Sequence, residues 1–147
     1  MRLSAVLRWL PLVLLTALLF GYAGYSKQPA DPFQWRPFHL TVDLSPAAFG
    51  AATTKAAHWI HFGITCLLAY LALARRSPLP ALAVTMAVGL LVELEQAFTS
   101  RGGKVADLLP DLLGALCAVG LILAVRRLGR LRRRKAVPDV QARRLTP

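Results

Sequence analysis

Along the chain, apolar positions gather into four stretches that avoid charge or nearly so: Trp9 to Ser26, Ala56 to Ala74, Pro78 to Phe98 and Leu108 to Val125. Each holds about 18 to 21 residues, close to the ~20 that a helix needs to cross a hydrocarbon core at ~1.5 Å per residue. The pattern predicts an all-α membrane protein. It is a four-helix transmembrane bundle over residues 1–125, followed by a basic tail over 126–147. Between the first two stretches, the loop from Lys27 to Lys55 carries Pro29, Pro32, Pro37 and Pro46 among Phe33, Trp35, Phe38 and Phe49. Prolines break helices and aromatic rings favour the headgroup level, so this loop is expected along the membrane surface rather than as a separate domain. Within it, Ser45-Pro46 fits the cap and first residue of a short helix. The tight Arg75-Arg76-Ser77 link makes the second and third helices an antiparallel hairpin, and no internal repeat is present.

Composition strengthens the membrane reading. The chain is 56% apolar and 17% charged, with mean hydropathy +0.50, against about half apolar and a quarter charged for a soluble domain. Its net charge of +11 is unevenly spread. With a cytoplasmic N-terminus, one side holds Arg2, Arg8, Arg75, Arg76 and the nine basic residues of the tail, 13 of 18, while the other holds Lys27, Arg36, Lys55, Arg101 and Lys104. The positive-inside rule then predicts that both termini are cytoplasmic. Arg2 and Arg8 before an apolar run ending in Gly21-Tyr22-Ala23 also resemble a secretory signal peptide, although bulky Tyr22 and Tyr25 flank the candidate cleavage point. Cleavage would leave three helices in the same orientation. Cys66 and Cys117 lie in apolar runs without metal-ligand spacing and read as small buried hydrophobes.

On this topology the intramembrane polar residues converge. His58 and His61 start the second helix, Glu93 and Gln96 end the third, and Asp107 and Asp111 start the fourth, all at the outer face. Three- and four-residue spacings put each pair on one helical face. Glu95, about 200° around from Glu93, reads as a bystander. A carboxylate inside a membrane is unfavourable by about 2.5 to 3.5 kcal/mol at mid-depth and less toward the interface, so such groups need partners, water or a proton. Two explanations fit: a functional polar site, or interfacial residues that pair with Lys55, Arg101 and Lys104.

The stretch Lys55-Ala-Ala-His58-Trp59 is similar to the D-K-x-x-H-F start of the second helix in the VanZ-like family of small bacterial membrane proteins. Glu93-Leu-Glu-Gln96-Ala-Phe98 resembles the family's E-L-x-Q-x-F segment, and Arg101, Asp107 and Gly114 match its R-(x5)-D-(x3)-N-(x2)-G pattern. The resemblance covers about residues 54–125. Thr54 stands where the family has aspartate, Asp111 where it has asparagine, His61 is additional, and the segment between Phe98 and Arg101 is about one residue short. The resemblance implies an integral membrane protein of the bacterial envelope, from a family named for a protein linked to glycopeptide resistance. It supplies a fold and a site without a reaction.

Three functional readings follow. In the first, the protein sits in the bacterial cytoplasmic membrane as a multi-pass protein and binds an envelope lipid or cell-wall-related ligand at its outer face. Lys55, Gln96, Arg101, Lys104, Asp107 and Asp111 line that site, with Arg101 as a bidentate anion fork and Gly102-Gly103 allowing close approach of the backbone. In the second it is a membrane hydrolase or transferase, with Glu93 as general base and His58 as acid or orienting partner. A metal variant uses His58, His61 and Asp111 or Glu93 as zinc ligands, although His-x-x-His without a neighbouring Glu is an incomplete metal pattern. In the third the cluster only binds helices together, helped by Ala83, Ala87 and Gly89 in the third helix and Gly114, Ala115, Ala118 and Gly120 in the fourth.

The tail adds a further contact. From Arg126 to Lys135, seven of ten residues are basic, each contributing about 1 kcal/mol near an anionic leaflet. The run has no aromatic residue to stack bases, and positive-inside topology explains its position, so anionic lipid is expected there and nucleic acid is not. Beyond Val137 the sequence predicts disorder.

Overall fold

All four apolar stretches are helical. The computed structural model describes residues 3–24, 37–73, 77–99 and 101–144, with side chains over 6–23, 37–73, 77–99 and 101–132. In chain order the elements are α1 (Leu3–Gly24), β1 (Leu40–Thr41), α2 (Pro46–Thr53), α3 (Ala56–Ala72), α4 (Pro78–Gln96), β2 (Gly103–Lys104), a 3-10 turn (Val105–Asp107) and α5 (Leu108–Arg144). Three of them are long and apolar enough to cross a membrane, with qualifying segments Val6–Ala23, Pro78–Gln96 and Val105–Arg132. The fourth, α3, is apolar but has 17 residues, about 26 Å of helix. Pro29, Pro32, Phe33 and Trp35 of the expected surface loop and the Arg75-Arg76 turn lie outside the described residues, as do the side chains of Arg133, Arg134 and Lys135.

Local chemistry sets the helix boundaries. Ser77 and Pro78 begin α4: the Ser77 hydroxyl accepts the Leu79 N–H at 3.3 Å, and proline at the first position needs no donor. The same device starts α2, where Ser45 Oγ accepts the Ala48 N–H at 3.2 Å ahead of Pro46. Two residues earlier in that turn, Asp43 accepts the Ser45 N–H at 2.9 Å, and this bond holds its carboxyl below the usual aspartate range. At the other end of the chain, α5 does not stop at Val125. It continues to Arg144, through the stretch after Val137 for which the sequence predicts disorder.

Helix α3 is the centre of the packing, in contact with α1, α4 and α5, and most extensively with α5. Its crossing with α5 is close because Gly63 and Gly114 face across it. A Cβ on Gly63 would lie 3.3 Å from the Gly114 oxygen, and one on Gly114 would lie 2.9 Å from both Cα and C of Trp59. Small and slender side chains fill the interior, including Cys66, Ala69, Ala81, Ala115 and Ala118, while Leu14, Leu79, Leu121 and Val125 face outward. Small residues inside and large apolar ones outside is the arrangement expected where the surroundings are as apolar as the core. Buried Thr65 and Thr85 satisfy their hydroxyls on the carbonyls of His61 and Ala81, one turn back, at 2.8 Å each. Not every predicted packing residue is inside: Cys117, Ala83, Ala87 and Gly120 are exposed, because only one face of α4 and α5 meets α3.

The loops at one end of the helices are stitched by a feature the sequence did not predict. Strands β1 and β2 pair in parallel, Leu40 with Gly103 and Thr41 with Lys104. The His39 N–H donates to Ala97 O at 2.7 Å, and the Gly103 N–H donates to His39 O at 3.2 Å. Helix α2 lies over this region, and Trp59 of α3 donates its indole N–H to Thr53 O at 3.1 Å.

Candidate functional site

The predicted polar residues meet at that stitched end, where α3 and α5 begin and α4 finishes. They form three separate pairings. Lys55, the residue capping α3, forms an ion pair through Nζ with Asp107 Oδ2 in the turn before α5. One helical turn further in, His58 Nδ1 lies 2.7 Å from Asp111 Oδ1, with the Asp111 side chain 1% exposed and His58 22% exposed. Glu93, near the end of α4, accepts the backbone N–H of Lys104 on Oε2 at 2.7 Å and is itself 1% exposed.

Each pairing depends on local backbone features. The His58 ring is held by Asp111 on one side and lies against Phe62, with ring centroids 6.2 Å apart and planes inclined by 18°. Asp111 fits between α3 and α4 because Gly89 has no side chain; a Cβ there would lie 3.0 Å from Asp111 Oδ2 and 3.2 Å from Phe62 Cε1. Glu93 reaches Lys104 because Gly103 packs directly on the Glu93 backbone and leaves no room for a Cβ. Gly102 has φ +66°, a left-handed conformation that glycine adopts without the penalty of a Cβ, and it turns the loop toward β2. Glu93 Oε1 and Asp111 Oδ2 are buried without a hydrogen-bond partner among the described residues.

Beside these pairs is a cavity of about 780 Å³, within the ~300–1,000 Å³ of small-molecule sites. Its lining is mixed. Leu15, Leu18 and Leu19 of α1, with Phe62 and Val92, are its apolar part; Lys55, His58, Arg101 and Lys104 are its cationic and polar part, with Asp107 as the carboxylate among the lining residues. Arg101 lies over the Tyr22 ring at 4.3 Å from its centroid, a cation–π contact that fixes the loop against α1. Gln96 and His61 also line the cavity.

Sequence reasoning placed Lys55, His58, His61, Gln96, Arg101, Lys104 and Asp107 at one site, and all seven line this cavity. Glu93, Glu95 and Asp111 are not among its lining residues: Asp111 sits behind His58, and Glu93 is turned toward the loop backbone. His58 bonds to Asp111 and Glu93 to the Lys104 N–H, so the two residues named for acid–base roles have separate partners. The three candidate zinc ligands are not gathered either. His61 is exposed, its Nδ1 lies 2.6 Å from Ala57 O on its own helix, and no group of three suitable His, Cys, Asp or Glu side chains occurs among the described residues. Sequence reasoning missed the α1 wall, although Leu15, Leu18, Leu19 and Tyr22 follow the i, i+3, i+4, i+7 spacing of one helical face.

The family model described as VanZ/LLP1 matches residues 7–126. The chain belongs to the VanZ/LLP1 family. No curated protein and no solved structure matches it. The VanZ/LLP1 match begins within α1, well before the residue-54 limit of the motif resemblance, so it takes in the helix that walls the cavity. It ends at Arg126, where the basic extension of α5 starts. Family membership and the apolar helices together identify a membrane protein. The basic extension is an addition outside the VanZ/LLP1 match.

Proposed function

We propose that this VanZ/LLP1 protein is a multi-pass protein of the bacterial cytoplasmic membrane that binds an anionic amphiphile of the envelope at its outer face. In this reading α1, α3, α4 and α5 all cross the bilayer, with both termini in the cytoplasm. The charge asymmetry, 13 of 18 basic residues on one side, supports that orientation. Helix α3 is short for a span, but it is surrounded by α1, α4 and α5 and needs to reach lipid along part of its surface only.

One observation carries the ligand class: a single cavity is lined both by apolar residues of α1 and by Lys55, Arg101 and Lys104. An apolar chain loses its contact with water against Leu15, Leu18 and Leu19, while an anionic group meets the Arg101 guanidinium and the Lys104 ammonium, beside Lys55 in its ion pair with Asp107. The bilayer supplies amphiphiles sideways and the loop end supplies polar headgroups. The basic stretch of α5 lies on the inner leaflet in this arrangement and contacts anionic lipid there.

Binding of dodecyl phosphonate, inorganic phosphate and neutral dodecyl maltoside to the purified protein tests the reading. Dodecyl phosphonate should bind at least tenfold more tightly than either of the others, and Arg101→Ala with Lys104→Ala should weaken it by about tenfold or more, the effect of losing ~1.4 kcal/mol or more. Equal binding of inorganic phosphate would show that the apolar lining contributes nothing. Equal binding of the maltoside would show the same for the cations.

A further inference from the structure

We propose that the cavity is a hydrolytic site in which His58, oriented by Asp111, is the general base for cleavage of a phosphate monoester carried by a single apolar chain. This rests on the reading of the cavity as an anionic-amphiphile site and adds a reaction to it.

The geometry points to His58 rather than to the other acid–base groups nearby. His58 lines the cavity, and its hydrogen bond among the described residues uses Nδ1, at 2.7 Å from Asp111 Oδ1. With a carboxylate on Nδ1, the proton belongs on that nitrogen and the lone pair of the neutral ring is on Nε2. Asp111 is buried behind the ring, held in the space left by Gly89, and Phe62 packs beside the ring. A buried carboxylate that fixes the tautomer and orientation of an imidazole on a residue lining a cavity is the acid–base half of a hydrolytic site. Glu93 does not fill this role, because it is absent from the cavity lining and its Oε2 is occupied by the Lys104 N–H. Lys55, Arg101 and Lys104 line the same cavity and are placed to stabilise the charge on a phosphoryl group in flight.

The step balances with water as the second reactant. His58 Nε2 takes a proton from water as the water oxygen bonds to phosphorus, and the bond from phosphorus to the alkyl oxygen breaks. The proton on Nε2 then passes to the departing alkoxide. One phosphate monoester and one water become one alcohol and one inorganic phosphate, with no change of oxidation state, and Asp111 stabilises the transient imidazolium without itself taking the proton.

The test uses the full-length protein in detergent, dodecyl phosphate as substrate and dodecyl phosphonate as a ligand that cannot be cleaved. Wild-type protein should release inorganic phosphate and dodecanol in equal amounts. His58→Asn keeps a side-chain N–H for Asp111 but has no base at the Nε2 position, so release should fall by about 100-fold or more while the phosphonate Kd stays within about threefold. Asp111→Asn should lower kcat with KM little changed, the signature of a positioning residue. Wild-type protein that binds the phosphonate but releases no phosphate overturns the hydrolytic proposal and leaves the binding reading standing. Failure to bind the phosphonate removes both. Unchanged release by His58→Asn overturns the role given to His58.

Discussion

Gly114→Ala tests the close crossing of α3 and α5. The added Cβ would lie 2.9 Å from Cα and C of Trp59 and would run into the Trp59 oxygen, all of them backbone atoms of α3. No rotamer change relieves such a contact, so α3 and α5 must separate. Overpacking of this kind is destabilising by about 1–3 kcal/mol, or roughly 2–12 °C of Tm on a scale of about 2–4 °C per kcal/mol. The site should suffer with the fold. Trp59 adjoins His58 and Gly114 is one turn from Asp111, so separation at this crossing lengthens the 2.7 Å His58–Asp111 bond. Gly120→Ala on the same helix is the control, because a Cβ there meets nothing within 4 Å. It should be neutral or stabilising by up to about 1 kcal/mol through helix propensity. Thermal unfolding in detergent, followed by circular dichroism, reads the first effect, and dodecyl phosphonate binding reads the second. Gly114→Ala with unchanged Tm and unchanged binding would refute the close-crossing argument.

Glu93→Ala should destabilise by about 1–3 kcal/mol, because it leaves the Lys104 N–H without its acceptor. Glu93→Gln keeps an acceptor oxygen and should fall within about 1 kcal/mol of wild type; a Gln variant as unstable as the Ala variant would show that the charge, not the bond, holds the loop. The Asp43 carboxyl, depressed by the Ser45 N–H, should titrate below its ordinary 3.8 by NMR. Its stabilising effect on the turn is therefore full above that ordinary value and lost as pH falls through the lower folded one, and a midpoint at or above 3.8 would contradict this. Replacing the seven basic residues between Arg126 and Lys135 by Gln should weaken association with anionic vesicles and disturb topology in a labelling assay. Unchanged vesicle association and topology would remove the lipid role of that stretch.

The helices were legible because length and charge avoidance are properties of contiguous residues. The start of α2 followed from Ser45-Pro46, where one hydroxyl and one missing N–H settle the matter locally, and Ser77-Pro78 does the same for α4. The membership of the polar site was also largely legible, since Lys55, His58, Gln96, Arg101 and Asp107 lie at helix ends that one topology brings together. Their pairing was not. Which carboxylate meets His58 depends on the Gly63–Gly114 crossing and on the space left by Gly89; Gly89 and Gly114 were legible as packing residues, but not which side chain each admits. Glu93 looked like a base because its chemistry suits one, yet Gly103 brings the loop backbone within its reach. The two-residue β1–β2 ladder was invisible because it is too short to impose an alternating pattern.

That ladder has a mechanical consequence. Strand β1 precedes α2 and β2 follows α4, so their pairing, with the His39–Ala97 bond beside it, closes residues 39–104 into a hoop. Within the hoop, the ladder ties the segments before α2 and after α4 at the end that carries the site, while Ala69, Tyr70 and Ala72 of α3 share a buried cluster with Ala81 of α4 at the other. A ligand pulling on Arg101 therefore loads Thr41 and α2 as well, and the mouth of the cavity moves as one rim. Helix α1 stands outside the hoop, held to that rim through Tyr22 under Arg101. Among the described residues α1 makes no backbone hydrogen bond to the rim, and Leu12 and Ala23 are buried against its neighbours, so this wall of the cavity is held by side-chain packing rather than by the ladder.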